Sequence, residues 1–483
     1  MDDGAGHLAS NFVSKTVPFR FRGAQLSFDL SHGLFSSAGV DVGTRLLLKV
    51  FSAELDSLAE SAGPQPQLRV LDAGCGVGVI GICAASALSG LSSRLQERGP
   101  GVPARGPGAP ARGFAVRCQD RDELARLFTL HNAAKNQVPS SVLEARAEPL
   151  LAGPKGERWD FILTNIPAKA GSSVLEDFVR RSAGLLAPGG RAIMVAVNTL
   201  AEFFRGQIAL AGAELLSEQT GSGHTVFVYA AGGRLRPGSE FTEAAPVEAA
   251  PIWAGPGFLS RHPFYARTVA DDKITDMPVR IETVHGASGF DEAGDAVTTA
   301  AKLALKIGPE TLAPPGSRLL VHEGGQGFFI CWLLDFLWDA SAAGETPGVV
   351  LSGRNVLALE AARHNASKHR AMQNGSGPAV VPAADLCLGK AALLEAAGGN
   401  PYGGIVAFPE LLPQSSLPKG SDQLAALWAS VPPLLAPGGI LLAVFGSSDA
   451  ERFDRKKPAG FVRLGGIKRN GFRALAYRRA ENR

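Results

Sequence analysis

The sequence predicts an α/β fold built twice: two tandem units, each with a mostly parallel, doubly wound sheet and an antiparallel edge strand. Three observations carry this. Short apolar runs alternate with helical patterns, which winds a parallel sheet with helices on both faces. Six segments recur, in the same order, in the two halves of the chain. The length, 483 residues, exceeds one ordinary domain and allows each half its own core.

The elements of the first unit follow in order. "LRVLDAG" reads as a strand and "VGVIGICAASALSGL" as the helix after it. "FAVRCQD" is a second strand, followed by the helix "RDELARLFTLHNAAKN" with Leu124, Leu127, Phe128 and His131 on one face. "WDFILTN" and "RAIMVAV" are further strands, and the tail "HTVFVYA" supplies the antiparallel edge strand. "ERGPGVPARGPGAPARG" (97–113) interrupts this order as a Gly/Pro/Arg-rich flexible loop, either a low-complexity insertion or an arm whose arginines grip RNA.

The repeats set the domain limits. "FVSKTV" (12–17) returns as "FYARTV" (264–269), and His32-Gly33 as His285-Gly286. "RVLDAGCGVG" (69–78) returns as "RLLVHEGGQG" (318–327), and "LHNAAKN" (130–136) as "RHNASKH" (363–369). "LLAPGG" (185–190) returns unchanged at 434–439, and "GHTVFVYA" (223–230) as "GFRALAYR" (471–478). The expected domains are 1–231 and 262–483, with a Pro/Ala/Gly/Glu-rich linker at 232–261.

Bulk properties narrow the function classes. Apolar residues make up 45 % of the chain, which suits a globular protein. A net charge of +3 gives no whole-chain electrostatic case for nucleic acid. Cys75, Cys83, Cys118, Cys331 and Cys387 form no C-x-x-C pair, so neither a zinc site nor any other metal is expected, and a reducing compartment is. "MDDGAGHLASNF" is too acidic and polar for a secretory signal. "FFICWLLDFLW" (328–338) is too short to span a bilayer and reads as a buried core helix. A cytoplasmic location without a membrane partner is the expectation.

In a doubly wound sheet the ligand sits outside the carboxyl ends of the strands. The first strand of unit one ends in Asp72, Gly74, Cys75, Gly76 and Gly78. Gly76-x-Gly78-x-x-Gly81 also fits a dinucleotide pattern, but an acidic strand end repels a pyrophosphate and suits a cationic amino-acid tail. That favours S-adenosylmethionine, which carries an ammonium and a sulfonium and no phosphate. Asp120 ends the second strand, where a carboxylate accepts from two ribose hydroxyls or caps the next helix. Arg121 beside it is set to cover the adenine face, and Glu148 or Ala147 falls at the end of the third strand, near the adenine edge.

"HGLFSSAGVDVGTRLLLKVF" (32–51), "VLDAGCGVGVIGI" (70–82), the Asn165 motif and "LLAPGG" together resemble the small-domain class I S-adenosylmethionine-dependent methyltransferases. The nearest group is the ribosomal RNA guanine-N2 methyltransferases, which also consist of two tandem Rossmann-like methyltransferase units. The resemblance implies that Phe35, Gly43 and Thr44 lie over the cofactor; the plain alternative is the start of a helix capped by Thr44 or Asp41. It also implies RNA, ribosomal RNA first, as substrate.

The family ends its fourth strand Asn-Pro-Pro-aromatic. Here the stretch is Thr164-Asn165-Ile166-Pro167-Ala168-Lys169. The Asn oxygen and the following carbonyl accept the two hydrogens of an amino group and aim its lone pair; positioning, not a strong base, carries the rate. Asn165 keeps the acceptor, Ile166 keeps the carbonyl, Pro167 keeps the second proline, and Ala168 lacks the aromatic that stacks on a base. One lost stack costs about 1–3 kcal/mol of base binding. Lys169 reaches a phosphate or points to solvent. Read alone, Asn165-x-Pro167 is equally a strand-ending turn.

The second unit keeps the frame and loses these groups. Asp72 becomes Val321, Gly74 becomes Glu323, Asp120 becomes Gly353, and Phe408 falls near the Asn165 position in "VAFPELLP". It reads as a degenerate copy for packing or substrate docking. The resembled family places its degenerate copy first; here the order is reversed.

Three functions follow: N-methylation of an RNA amino group, methylation of a protein side-chain amide or small-molecule amine, and a non-catalytic binding or assembly factor.

Overall fold

The computed structural model describes residues 2–35, 38–61, 67–97, 113–153, 156–232, 254–255, 257–289, 291–340, 348–369, 372 and 377–481. It divides into a first unit, Val13–Ile252, and a second unit formed by Trp253–Arg483 together with Met1–Phe12. The loop expected at 97–113 and most of the linker expected at 232–261 lie outside the described residues.

Helix α1 (Asp2–Phe12) opens the chain and belongs to the second unit, which corrects the expected boundary at residue 1. The reason is burial and hydrogen bonding far along the sequence. Leu8 and Phe12 are buried. His7 Nε2 lies 2.5 Å from Asp385 Oδ2, Gln423 Nε2 donates to the Asn11 carbonyl at 2.9 Å, and Ser421 Oγ donates to the Ser10 carbonyl.

The first unit starts with a hairpin, β1 (Lys15–Phe21) and β2 (Ala24–Leu30), turned by Arg22 and Gly23, both at positive φ. Then come α2 (Val42–Ser61), β3 (Gln67–Ala73), α3 (Val79–Glu97), β4 (Gly113–Asp120), α4 (Glu123–Lys135), β5 (Leu143–Ala147), β6 (Trp159–Asn165), α5 (Ser172–Leu185), β7 (Leu186–Val197), α6 (Ala201–Leu210), β8 (Glu214–Thr220) and β9 (His224–Ala230). The sheet runs β5-β4-β3-β6-β7-β9-β8. Its first five strands are parallel, and β9 runs antiparallel between β7 and β8. The tail assigned from sequence is β9, one strand inside the edge. The edge itself, β8, escaped the reading because "ELLSEQT" is exposed along nearly its whole length and shows no alternation.

The second unit continues with α7 (Phe258–Arg261), β10 (Ala266–Ile274), β11 (Met277–Val284), α8 (Asp295–Ile307), α9 (Pro309–Leu312), β12 (Arg318–His322), α10 (Phe328–Ala340), β13 (Gly348–Gly353), α11 (Val356–Ser367), β14 (Ala379–Pro382), α12 (Lys390–Ala396), β15 (Tyr402–Ala407), α13 (Gln423–Leu434), β16 (Leu435–Gly446), α14 (Ser447–Arg455), β17 (Phe461–Arg469) and β18 (Phe472–Arg479). Its sheet, β14-β13-β12-β15-β16-β18-β17, has the same strand order as the first. α10 is the core helix expected at 328–338.

The repeated segments have physical reasons. In "LHNAAKN" the buried Asn132 on α4 accepts the Asp29 N–H at 2.8 Å and donates to the Asp29 carbonyl at 3.0 Å and the Val77 carbonyl at 2.9 Å. One turn on, Asn136 bonds the N–H and C=O of Ser27, both at 2.8 Å. Two amides on one helix face thus stand in for a neighbouring strand beside β2. His131 and Lys135 hold the Asp29 side chain at 2.7 and 2.5 Å. In "RHNASKH", Asn365 bonds the Glu282 N–H, the Glu282 carbonyl and the Gln326 carbonyl, while His364 and Lys368 pair with the Glu282 side chain. "LLAPGG" is a strand irregularity: a Cβ on Gly190 would lie 2.7 Å from the Trp159 carbonyl, and one on Gly439 would lie 2.9 Å from the Gly403 carbonyl.

Asn132→Ala strands three buried backbone groups at once. The first unit is expected to lose about 3 kcal/mol or more, read as a lower denaturant midpoint; a midpoint equal to wild type would contradict the clamp.

Candidate active site

β3, β4 and β6 end on one edge of the first sheet, with Asp72 opposite Cys118 and Leu163. After Ala73 the backbone turns back: the N–H groups of Gly74 and Cys75 donate to the Gln119 carbonyl at 2.8 and 3.1 Å. Gly74, Gly76 and Gly78 all have positive φ, and a Cβ on Gly76 would meet nothing within 4 Å. This turn is therefore an open cradle, where backbone can approach a ligand. Gly81 is needed for the opposite reason, since its Cβ would lie 2.2 Å from Cys118 Sγ and 3.2 Å from Asp72 Oδ2. The Cys75 thiol is buried 3.4 Å from Thr129 Oγ1, and burial raises its pKa, which disfavours the thiolate.

Asp72 lies beneath the turn and is fully buried. Its Oδ2 accepts the Gly81 N–H at 2.8 Å, while Oδ1 is buried without a hydrogen-bond partner. Burial pushes its carboxyl up to about 7, with the Gly81 N–H opposing and the Asp120 charge adding. Asp120 meets the cradle directly. Its Oδ2 accepts the Gly76 N–H at 3.1 Å and its Oδ1 the Asp122 N–H at 3.1 Å. It is not the helix cap: Asp122 caps α4 by accepting the Leu124 N–H at 2.8 Å. Burial raises the Asp120 pKa, and the positive charge of Arg121 opposes that rise. Glu148 directly follows β5, and its Oε2 is buried without a partner.

β6 carries Asn165 to the same edge. Thr164 Oγ donates to the Ala73 carbonyl at 2.7 Å and ties the end of β6 to the end of β3. Ile166 is buried, and Pro167, Ala168 and Lys169 are exposed at the start of a short 3-10 turn, Ala168–Ala170. The Asn165 amide nitrogen donates to Asp41 Oδ2 and Thr44 Oγ, both at 3.0 Å. Asp41 also accepts the Thr44 N–H at 3.0 Å and so caps α2. Gly43 has a packing role: a Cβ there would lie 2.9 Å from His224 Cδ2.

The structure thus joins Asp72, the glycine turn and Asp120 into one set and Asn165 and Thr44 into another. Phe35, Arg121 and Glu148 have no hydrogen bond to either set among the described residues, and Phe35 is 66 % exposed. Sequence reasoning missed the contact of Asp41 with Asn165 and the closeness of His224 to Gly43. The signal lay in the second unit, where the cap of α8 is Gly294 and Phe472 follows the glycine that matches Gly223.

The second unit shows what these positions become. Strand register equates Asp72 with Val321, Asp120 with Gly353 and Asn165 with Phe408. Glu323 keeps the left-handed turn of Gly74 at φ 57°, and its N–H donates to the Ser352 carbonyl at 2.7 Å as Gly74 does to Gln119. Its carboxylate accepts the Arg354 N–H at 2.6 Å, and a Cβ on Gly353 would lie 2.9 Å from Glu323 Oε2. The acid has moved from the second strand end to the first and occupies the space where an Asp at 353 would stand.

Residues 25–97 and 109–210 match the family model for the methyltransferase small domain. The first unit is a methyltransferase small domain. The interruption of the match falls inside the Gly/Pro/Arg-rich segment. The chain is 27 % identical over 176 residues to the uncharacterized protein YbxB of Bacillus subtilis (strain 168), a match covering 36 % of this chain and 71 % of YbxB. The T. Thermophilus 16S rRNA N2 G1207 methyltransferase, solved with AdoMet and guanosine, shares the fold across 99 % of this chain and 100 % of its own, at TM-score 0.54 and 16 % identity.

The residues of this unit fit S-adenosylmethionine, the cofactor that the family resemblance implies. The open cradle at Gly76 admits a ligand against backbone, Asp120 keeps lone pairs beyond the two it uses, and Glu148 leaves one buried oxygen unpartnered. Bound there, the cofactor supplies an activated methyl group. When ionised, Asp72 would place a negative charge under the turn.

That placement opposes stability. An acid whose folded pKa lies above its ordinary value of 3.8 lowers stability as pH rises from there to about 7. Asp72→Asn keeps an acceptor for Gly81 and removes the charge. The apo variant is expected to melt higher than wild type at pH 8, by roughly 2–4 °C per kcal/mol recovered, with no difference at pH 4, and to bind the cofactor more weakly in calorimetric titration. A variant less stable than wild type at pH 8 would contradict this account of Asp72.

Proposed function

We propose that the chain transfers a methyl group from S-adenosylmethionine to an amino nitrogen, with guanine N2 of ribosomal RNA as the leading acceptor. The observation that carries the reading is Asn165 at the end of β6, tied to the glycine turn through Thr164 and held by its amide nitrogen at Asp41 and Thr44. Its side-chain oxygen is then the acceptor for an amino hydrogen. The Ile166 carbonyl is the candidate acceptor for the second, and Pro167 keeps that segment extended at φ −65° and ψ 130°. Two accepted hydrogens align the lone pair without a strong base, and the surplus proton leaves to solvent after transfer.

Ribosomal RNA is supported by the two-unit fold shared with a 16S rRNA methyltransferase solved with guanosine. In this reading the second unit docks substrate, and the protein works in the cytoplasm. A second acceptor class, a protein side-chain amide or a small-molecule amine, draws on the exposed Ala168, where no aromatic offers a stack.

Asn165→Ala is expected to lower methyl transfer by two orders of magnitude or more while cofactor affinity stays within about two-fold. Radiolabelled methyl scored on total RNA and total protein separates the acceptors. Transfer that survives Asn165→Ala would overturn the assigned role, and an absence of transfer with cofactor still bound would favour a non-catalytic assembly factor.

Phe35 is the only aromatic among the exposed large apolar side chains of the described residues. If it stacks on the acceptor base in place of the missing aromatic, Phe35→Ala raises the RNA KM about ten-fold, as the loss of one stack requires. A weakened cofactor affinity with unchanged RNA KM would instead assign it to the cofactor.

A further inference from the structure

We infer that Asp41 is a positioning residue: its carboxylate sets which end of the Asn165 amide faces the acceptor. The inference rests on the reading of Asn165 given above and adds what makes that side chain competent. An Asn amide has one accepting end and one donating end of nearly the same shape, so a rotation by half a turn about its last bond exchanges them. Only the oxygen-out orientation accepts a hydrogen from an amino group. The amino end would repel it.

An ionised carboxylate can only accept hydrogen bonds. Asp41 Oδ2 and Oδ1 lie 3.0 and 3.3 Å from Asn165 Nδ2, so the reversed amide would set oxygen against oxygen. Thr44 Oγ at 3.0 Å cannot make this selection alone, because a hydroxyl serves either end as donor or acceptor. The Asp41 carboxylate is itself fixed. It accepts the Thr44 N–H at 3.0 Å as the cap of α2, and a Cβ at Gly43 would lie 3.2 Å from Asp41 Oδ2 and 2.9 Å from the His224 ring, so the first turn of the helix fits only without a side chain there. The second unit offers a comparison. Where Asn165 is replaced by Phe408, the helix cap is Gly294, and the neighbouring carboxylate, Asp295, accepts from Asn470 at 2.8 Å instead.

Asp41→Asn separates positioning from capping, since Asn is as good a cap as Asp but can present either end to Asn165. The full-length variant is expected to keep its melting temperature and its S-adenosylmethionine Kd, and to lose ten-fold or more in kcat on an amino acceptor methylated by wild type, with KM nearly unchanged. In an Asn165→Ala background the same change has no further effect, because no amide remains to be oriented. The orientation is also read with no acceptor present. The Asn165 side-chain NH2 signals, assigned by their absence in Asn165→Ala, shift in Asp41→Asn. Unchanged signals, a kcat within two-fold of wild type, or losses that add in the double variant each overturn the inference. A wild-type protein that methylates no amino acceptor, yet shows the shift, overturns the functional reading and leaves the orientation established.

Discussion

The amide of Asn132 is the bond set on which the first unit depends. It satisfies both backbone groups of Asp29 and the carbonyl of Val77, so one buried side chain fixes the β1–β2 hairpin, helix α4 and the middle of the glycine turn at once. Each partner group is buried, and a buried group left unpaired costs more than the bond contributes when made. The cradle beside Asp120 thus takes its position in part from a residue on another element, α4. Asn365 repeats the arrangement in the second unit, although nothing at its own strand ends calls for a cradle. The clamp therefore belongs to the fold and the acids to the chemistry, and the two can be lost separately.

The glycine turn makes the same division visible in energy. Asp72 keeps one oxygen unpartnered in a buried space, and burial raises its pKa. The second unit avoids that cost with Val321 and still folds, and it closes its turn with Glu323, whose carboxylate bonds backbone. Phe408 then packs on Phe329 with ring centroids 4.9 Å apart, where Asn165 in the first unit stands half-exposed. Each replacement exchanges a polar group poised for a ligand for a contact inside the protein. A chain selected for stability alone would drift this way.

Legibility in the sequence followed the range of the forces involved. The parallel strands, the turn glycines, Asp120 and Asn165 were readable because each is tied to a local pattern: a buried run, then a tight turn, then a helix. Asp120 and Asp122 show the limit, since sequence alone could not say which carboxylate caps α4 and which faces Gly76. The hairpin β1–β2 left only a repeated "FVSKTV", because much of what holds it is the side chains of α4, about a hundred residues away. Helix α1 was assigned to the wrong unit because its partners, Asp385, Ser421 and Gln423, are farther still. Asp41 looked like an ordinary cap, and it is one; its second bond, to Asn165, comes from a strand that local periodicity cannot bring near it.

These two roles of Asp41 explain why the reactive end of β6 tolerates Ile166 and Ala168. The orientation of Asn165 comes from Asp41 and Thr44 at the start of α2, not from its own turn, so the residues that follow are free to vary without rotating the amide. Ile166 contributes a carbonyl that does not depend on its side chain, and its buried side chain anchors the segment from below. Ala168 and Lys169 face solvent beyond that anchor, where, on the proposed reading, a side chain would bear on which acceptor docks and not on how its nitrogen is aimed. On the proposed reading, methyl transfer rests on the strand ends and α2 and acceptor choice on exposed positions such as Lys169, so the missing aromatic bears only on the second.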